Sequence, residues 1–175
     1  MESPSLPDKI DRWMATPWYW LAILLGGIAL EAIALFYQHV LDEPPCVLCI
    51  HARLWTFGAI VAGSLGLILY RRWPGRLFSQ GVLIVSLAGL LERSYVALRV
   101  ERGTYDGVCG MDPGYPDWLP LDDWFPNVLQ VWTMCGYSPD FLFGLTMVEA
   151  LTYGTAILLV LALAGAVVMA VKRTS

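Results

Sequence analysis

Four stretches of this sequence, at about 18–38, 46–70, 77–98 and 145–171, are apolar over twenty residues or more. Each is long enough to cross the roughly 30 Å hydrocarbon core of a bilayer as a helix. Lipid offers no partner for a bare backbone N–H or C=O, so a lone apolar run in it must be helical. Composition agrees: 57% of the 175 residues are hydrophobic, 15% are charged, and the mean hydropathy is +0.58. The expected fold is all-α: a four-helix membrane bundle forming one integral membrane domain over 1–175, with connectors at about 39–46 and 99–143. A net charge of −4 and the lack of a basic stripe exclude a nucleic-acid partner.

The first segment opens on Trp18, Tyr19 and Trp20, an aromatic cuff of the kind found at a headgroup boundary. Before it lies a short polar tail with an interfacial turn around Trp13; no cleavable signal peptide is expected. Glu31 stands inside this segment, where an ionisable group is costly unless neutral, paired or beside a polar cavity. Either it is a neutral Glu bonded to a neighbouring helix, or it borders a ligand pocket. The second segment contains Gly58, Gly63 and Gly66, which allow close helix packing. Glu92 and Arg93 should lie near an interface or face the bundle interior, and Glu149 stands near the start of the fourth helix. The long connector is rich in Pro, Gly and Asp, which suggests mobility. Its aromatics argue against plain disorder, and Trp118–Trp132 reads as a short amphipathic piece on the membrane surface.

Basic residues sort the connectors. Lys9 and Arg12, then Arg71, Arg72 and Arg76, then Lys172 and Arg173 mark the tails and the middle turn as cytosolic. By parity the two other connectors face the opposite side, and they hold all four cysteines: Cys46, Cys49, Cys109 and Cys135. Disulfides persist in such a compartment.

Cys46 and Cys49 follow Pro44-Pro45, which cannot extend a helix but suit the first turn of a new one. The pair therefore belongs at a helix N-terminus on the membrane rim. There the helix dipole, and Arg53 one turn beyond Cys49, favour a thiolate. Three readings of the four thiols compete. As structural staples, Cys109 and Cys135 would close a loop worth roughly 3 kcal/mol in the chain-entropy model, whereas Cys46 and Cys49 would close almost none. As a zinc site the spacing is poor, because structural zinc usually takes two close pairs and here one pair is 26 positions apart. In the third reading the pairs exchange electrons, one with a soluble protein and the other with a lipid-soluble carrier. A two-electron quinone suits the rim, with Arg53 stabilising charge on its oxygen.

Ala29-Leu30-Glu31 with Gln38-His39-Val40, Pro45-Cys46-Val47-Leu48-Cys49-Ile50 with Arg53, and Trp118-Leu119-Pro120-Leu121-Asp122 before Cys135 together resemble the DsbB family over nearly the whole chain. The resemblance implies a quinone-dependent protein-disulfide oxidoreductase of the bacterial inner membrane. Such an enzyme reoxidises a periplasmic DsbA-like thioredoxin-fold protein with ubiquinone or menaquinone. It implies that Cys109 is attacked by the reduced partner, that Cys135 is released and attacks Cys46, and that Cys49 faces the quinone. Arg53 would assist there, and Glu31 matches a family Glu. Some family members carry a His just past the third helix; here that region reads Arg99-Val100-Glu101-Arg102. His39 reads as a loop or cap residue, and His51 as facing either the quinone or the interface. Gly107-Val108-Cys109-Gly110 suits a mobile substrate loop. The alternatives are a specialised paralogue with a dedicated partner, a relay like vitamin K epoxide reductase, and a non-enzymatic tetraspan protein with structural loop disulfides.

Overall fold

The computed structural model describes residues 6–105, 109–142 and 144–174. Gly107 and Val108, and the side chains of Lys172 and Arg173, lie outside what it describes. Its helices are α1 (Leu6–Met14), α2 (Pro17–Val40), α3 (Val47–Leu69), α4 (Trp73–Glu101), the single turns α5 (Leu121–Trp124) and α6 (Pro126–Leu129), and α7 (Met147–Thr174). Four of them, α2, α3, α4 and α7 (as far as Val171), are long and apolar enough to cross a membrane. Prolines sit in the first turns of α2 and α4, where the missing N–H has no helical partner to lose.

The bundle is built around α3, which packs on α2 and α4, while α4 in turn packs on α7. The α2–α3 contact is close because two glycines permit it. A Cβ on Gly66 would land in the Trp20 indole, and one on Gly63 would come within 2.8 Å of the Leu24 backbone nitrogen. On the other side of α3, a Cβ on Gly89 of α4 would collide with Trp55. By contrast, α2 and α7 make little direct contact, and a seam stays open between them.

Two expectations for the N-terminal end need correction. The tail is not a turn but the nine-residue helix α1. It is held by Asp11, paired with Arg76 at 3.4 Å, and by Met14, buried against Gly165. The aromatic cuff also splits. Trp18 is 71% exposed, but Trp20 is fully buried and donates its indole N–H to the Met14 carbonyl at 3.1 Å. Tyr19 turns inward as well, donating to Gln80 Oε1 at 3.0 Å. Two of the three aromatics thus fasten α1 and α4 to α2, and Trp18 alone stays fully outward.

Glu92 and Arg93 pair with each other at 2.9 Å, with both side chains substantially exposed, so neither faces the bundle interior. The connector between α4 and α7 ends in a small antiparallel hairpin that the sequence pattern does not announce. Its strands are β1 (Asp140–Leu142) and β2 (Leu145–Thr146), and Gly144 takes a positive φ of 76° between them. Glu149 ties the two ends of this connector together: it accepts from Arg102 Nη2 at 2.8 Å and from the Thr146 N–H at 3.3 Å.

Candidate active site

The short connector places the first cysteine pair. Asp42 takes a left-handed conformation (φ 53°), which Asp tolerates better than most residues, and the chain reverses at once after α2. Pro44 and Pro45 then lead into Cys46, the N-cap of α3, whose sulfur accepts the Cys49 N–H at 3.4 Å. The i, i+3 spacing puts both sulfurs on one side of the first turn, 2.9 Å apart.

The second pair arrives by a different route. The Pro45 carbonyl accepts the backbone N–H groups of Trp132 (3.0 Å) and Thr133 (3.3 Å), so the long connector runs parallel to the chain at Cys46. Two residues further on, Cys135 packs on the same core as Cys46 and Cys109, and its thiol interacts electrostatically with both. Beneath them Val47, Leu48 and Ile50 of α3 pack with Leu129 and Val131 of the connector, and Cys49, Cys109 and Cys135 border this core. The part expected to lie on the membrane surface thus has an inner side docked on the thiols, while Trp118, Trp124 and Trp132 stay exposed.

Among the thiols outside the spanning segments, the environment holds protons on. Hydrogen bonding from Cys135 pulls the Cys46 thiol down, but its bond with Cys49 and burial outweigh this, and the net shift is upward. Cys135 is raised strongly, by its bond to Cys46 and then by burial. Loss of hydration, with Cys135 alongside, pushes Cys109 up to about 11. At Cys46, the bond with Cys49 and burial thus oppose the thiolate that the helix end was expected to favour.

Cys49 faces elsewhere. It lines a cavity of about 320 Å3 at the α2–α7 seam, together with Arg53 and Thr56 of α3 and Glu31 and Ala34 of α2. Met134, Tyr137, Pro139 and Phe141 of the connector line it too, as does α7 from Met147 to Leu158. Most of this lining is apolar, with a few convergent polar groups, as small-molecule sites usually are. Arg53 is only 5% exposed, and its Nη1 donates to Gln38 Oε1 (2.6 Å) and the Val128 carbonyl (2.7 Å), while Nη2 donates to the Ala34 carbonyl (3.3 Å). Its Nε, and Oε2 of the 6%-exposed Glu31, are buried without a protein partner among the described residues. Of the two readings of Glu31, the pocket border fits: the residue lines the cavity.

Neither histidine lines the cavity. His39 Nε2 meets the Asn127 carbonyl at 3.0 Å, and its ring stands edge-on to Trp132, which makes it a connector anchor. His51 does not face the cavity: its Nε2 meets the Pro113 carbonyl at 2.9 Å, strapping the stretch after Cys109 onto α3. Gln38 stands out in the sequence only as part of a motif. A signal for it is there, since Glu31, Ala34 and Gln38 follow the i, i+3, i+7 spacing of one helix face.

Four membrane-length helices with two cysteine pairs gathered at one end define a multi-pass membrane thiol protein. Comparison with known proteins narrows the class. The family model described as "Disulfide bond formation protein DsbB" matches residues 16–165. A disulfide bond formation protein B of Shewanella loihica is 34% identical over 143 residues, covering 80% of this chain and 82% of its own. Disulfide bond formation protein B 2 of Pseudomonas aeruginosa is 38% identical over 130 residues, 69% and 77% of the two chains. A Shewanella frigidimarina relative is 32% identical over 152 residues, 86% and 89% of the two. The chain belongs to the DsbB family, and with it to the membrane disulfide oxidoreductases that serve disulfide bond formation.

Proposed function

We propose that this protein reoxidises a periplasmic DsbA-type dithiol protein and passes the two electrons to a membrane quinone. The observation that carries the reading is the gathering of Cys46, Cys109 and Cys135 on one core, while Cys49 lines the rim cavity. In this reading the thiol end of the bundle is periplasmic, and both termini are on the cytosolic side of the bacterial inner membrane. The basic residues of the tails and of the α3–α4 turn support that orientation.

The starting state has two disulfides, Cys46–Cys49 and Cys109–Cys135. A thiolate of the reduced partner attacks Cys109; a partner–Cys109 bond forms and Cys135 leaves as thiolate. Cys135 attacks Cys46, forming Cys46–Cys135 and freeing Cys49. The partner's second thiol then releases the oxidised partner and leaves Cys109 reduced; Cys109 attacks Cys135, re-forming Cys109–Cys135 and leaving Cys46 and Cys49 as the dithiol that gives up two electrons. With Cys46 as the sulfur attacked and Cys49 as the one expelled, the exchange runs toward the cavity.

The cavity's residues fit a quinone head. Its walls are mostly apolar, and Arg53, with Glu31 in its protonated form, brings hydrogen-bond donors for carbonyl oxygens. A bound quinone supplies an acceptor for two electrons and two protons. Cys49 stands at the cavity to deliver the electrons, and Arg53 holds positive charge beside it. The test is quinone reduction by the purified protein in detergent, with a reduced DsbA-type protein as donor. The expected result is turnover that falls to background in both Cys49→Ser and Cys109→Ser. Absence of turnover across several quinones and partners, with all four cysteines intact, would overturn the reading.

A further inference from the structure

The buried amide of Gln38 joins the two halves of this site, and the thiol chemistry itself makes no use of it. Gln38 is 2% exposed and sits on the same face of α2 as Glu31. Its Oε1 accepts from Arg53 Nη1 at 2.6 Å, and its Nε2 donates to the Asn127 carbonyl at 3.1 Å. The partners fix the amide's orientation, because a guanidinium only donates and a carbonyl only accepts. The next carbonyl, that of Val128, accepts from the same Arg53 nitrogen at 2.7 Å. One closed set of hydrogen bonds therefore links the cavity arginine, α2 and the connector that leads to Cys135. Arg53 lines the cavity with its η nitrogens held in this way by Gln38 and the connector.

We infer that Gln38 is a positioning residue: it aims Arg53 at the quinone cavity and makes that aim depend on the docked connector. The inference deepens the proposed function and rests on its quinone reading. It predicts that quinone affinity and connector docking are coupled through a residue that touches neither quinone nor thiol. Leucine at position 38 loses both bonds. Glutamate keeps an acceptor for Arg53 but, ionised, has nothing to donate to Asn127.

The experiment uses the full chain in detergent and a benzoquinone carrying one isoprene unit. Equilibrium binding to the oxidised protein is read by tryptophan quenching, alongside steady-state kinetics and hydrogen exchange at 128–130. In Gln38→Leu, binding should weaken and KM rise by about tenfold, the scale of one charge-assisted hydrogen bond. Its kcat at saturating quinone, and the rate of mixed-disulfide formation at Cys109, should stay within about twofold of wild type. In Gln38→Glu, binding should return to within about threefold of wild type while exchange at 128–130 stays as fast as in the leucine variant. Wild-type affinity in Gln38→Leu, or a matching loss at the Cys109 step, would overturn the inference. If Gln38→Leu does not accumulate, the decision passes to Gln38→Glu, and unchanged exchange at 128–130 overturns the coupling. Failure of the wild-type protein to bind any quinone would instead sink the underlying reading, while the exchange data still report whether Gln38 tethers the connector.

Discussion

Cys46 and Cys49 are held by a helix; Cys109 and Cys135 are held by a docked connector. The first pair needs nothing beyond its own turn, since the N-cap geometry of α3 sets the 2.9 Å between the sulfurs. The second pair is assembled from distant chain. Cys135 comes from backbone bonds to Pro45, and the Cys109 side from the strap between His51 and Pro113. In the proposed relay each kind of element has its use: the helix-bound pair keeps Cys49 at the cavity, while the connector-bound pair would meet a large partner and return to Cys46. Local geometry suits the fixed end, and tertiary hydrogen bonds, each worth only about 0.5–1.5 kcal/mol net, suit the end that has to let go.

The sharpest way to break the contrast is Cys135→Ser. Turnover with a reduced protein donor should fall to background, while the Cys46–Cys49 disulfide, reduced by a small dithiol, should still be reoxidised by quinone. If quinone reoxidation fell as well, the two pairs would not be separable. Thr133→Pro comes next, because it removes one of the two N–H groups bonded to Pro45 without touching a cysteine. Stopped-flow transfer from the connector pair to the rim pair should slow about tenfold, the kinetic equivalent of one lost hydrogen bond. Mixed-disulfide formation at Cys109 should be unaffected.

The pH dependence of alkylation probes the environment rather than the path. In the fully reduced protein the Cys109 thiol is raised to about 11, so its proton is retained well past the ordinary cysteine range. Its alkylation rate should therefore climb about tenfold per pH unit beyond pH 9 and level off near 11, where a peptide cysteine levels off near 8.5. The same raised pKa favours the folded reduced state below the ordinary cysteine pKa, and that contribution is lost as pH rises toward 11. A plateau near 8.5 would mean that Cys109 does not sit against Cys135 in solution. The smallest effect expected is that of His51→Ala. Loss of its bond to the Pro113 carbonyl should raise hydrogen exchange around Tyr115 by several-fold, on the order of 1 kcal/mol, and leave exchange in α3 unchanged.

Residues whose role depends on neighbours in sequence are readable from the chain alone. The four spans follow from apolar runs that lipid obliges to be helical, and the helix-end position of Cys46 follows from two prolines that stop one element and start another. Helical spacing puts Cys49 and Arg53, one turn apart, on a common face, and both line the cavity. What tertiary structure alone decided involves pairs far apart in the chain. Trp20 looks like a membrane-surface anchor until Gly66 leaves it a space and Met14 gives it an acceptor. Gln38 looks like a polar residue ending a helix until the connector brings it the Asn127 carbonyl. His51, two residues after Cys49, looks like a companion of the chemistry until Pro113 claims it. Hydropathy and helical period are properties of a stretch, and a stretch reports them by itself. A hydrogen bond between residues tens of positions apart exists only once the chain has closed the loop between them, and no local pattern encodes which carbonyl will be waiting.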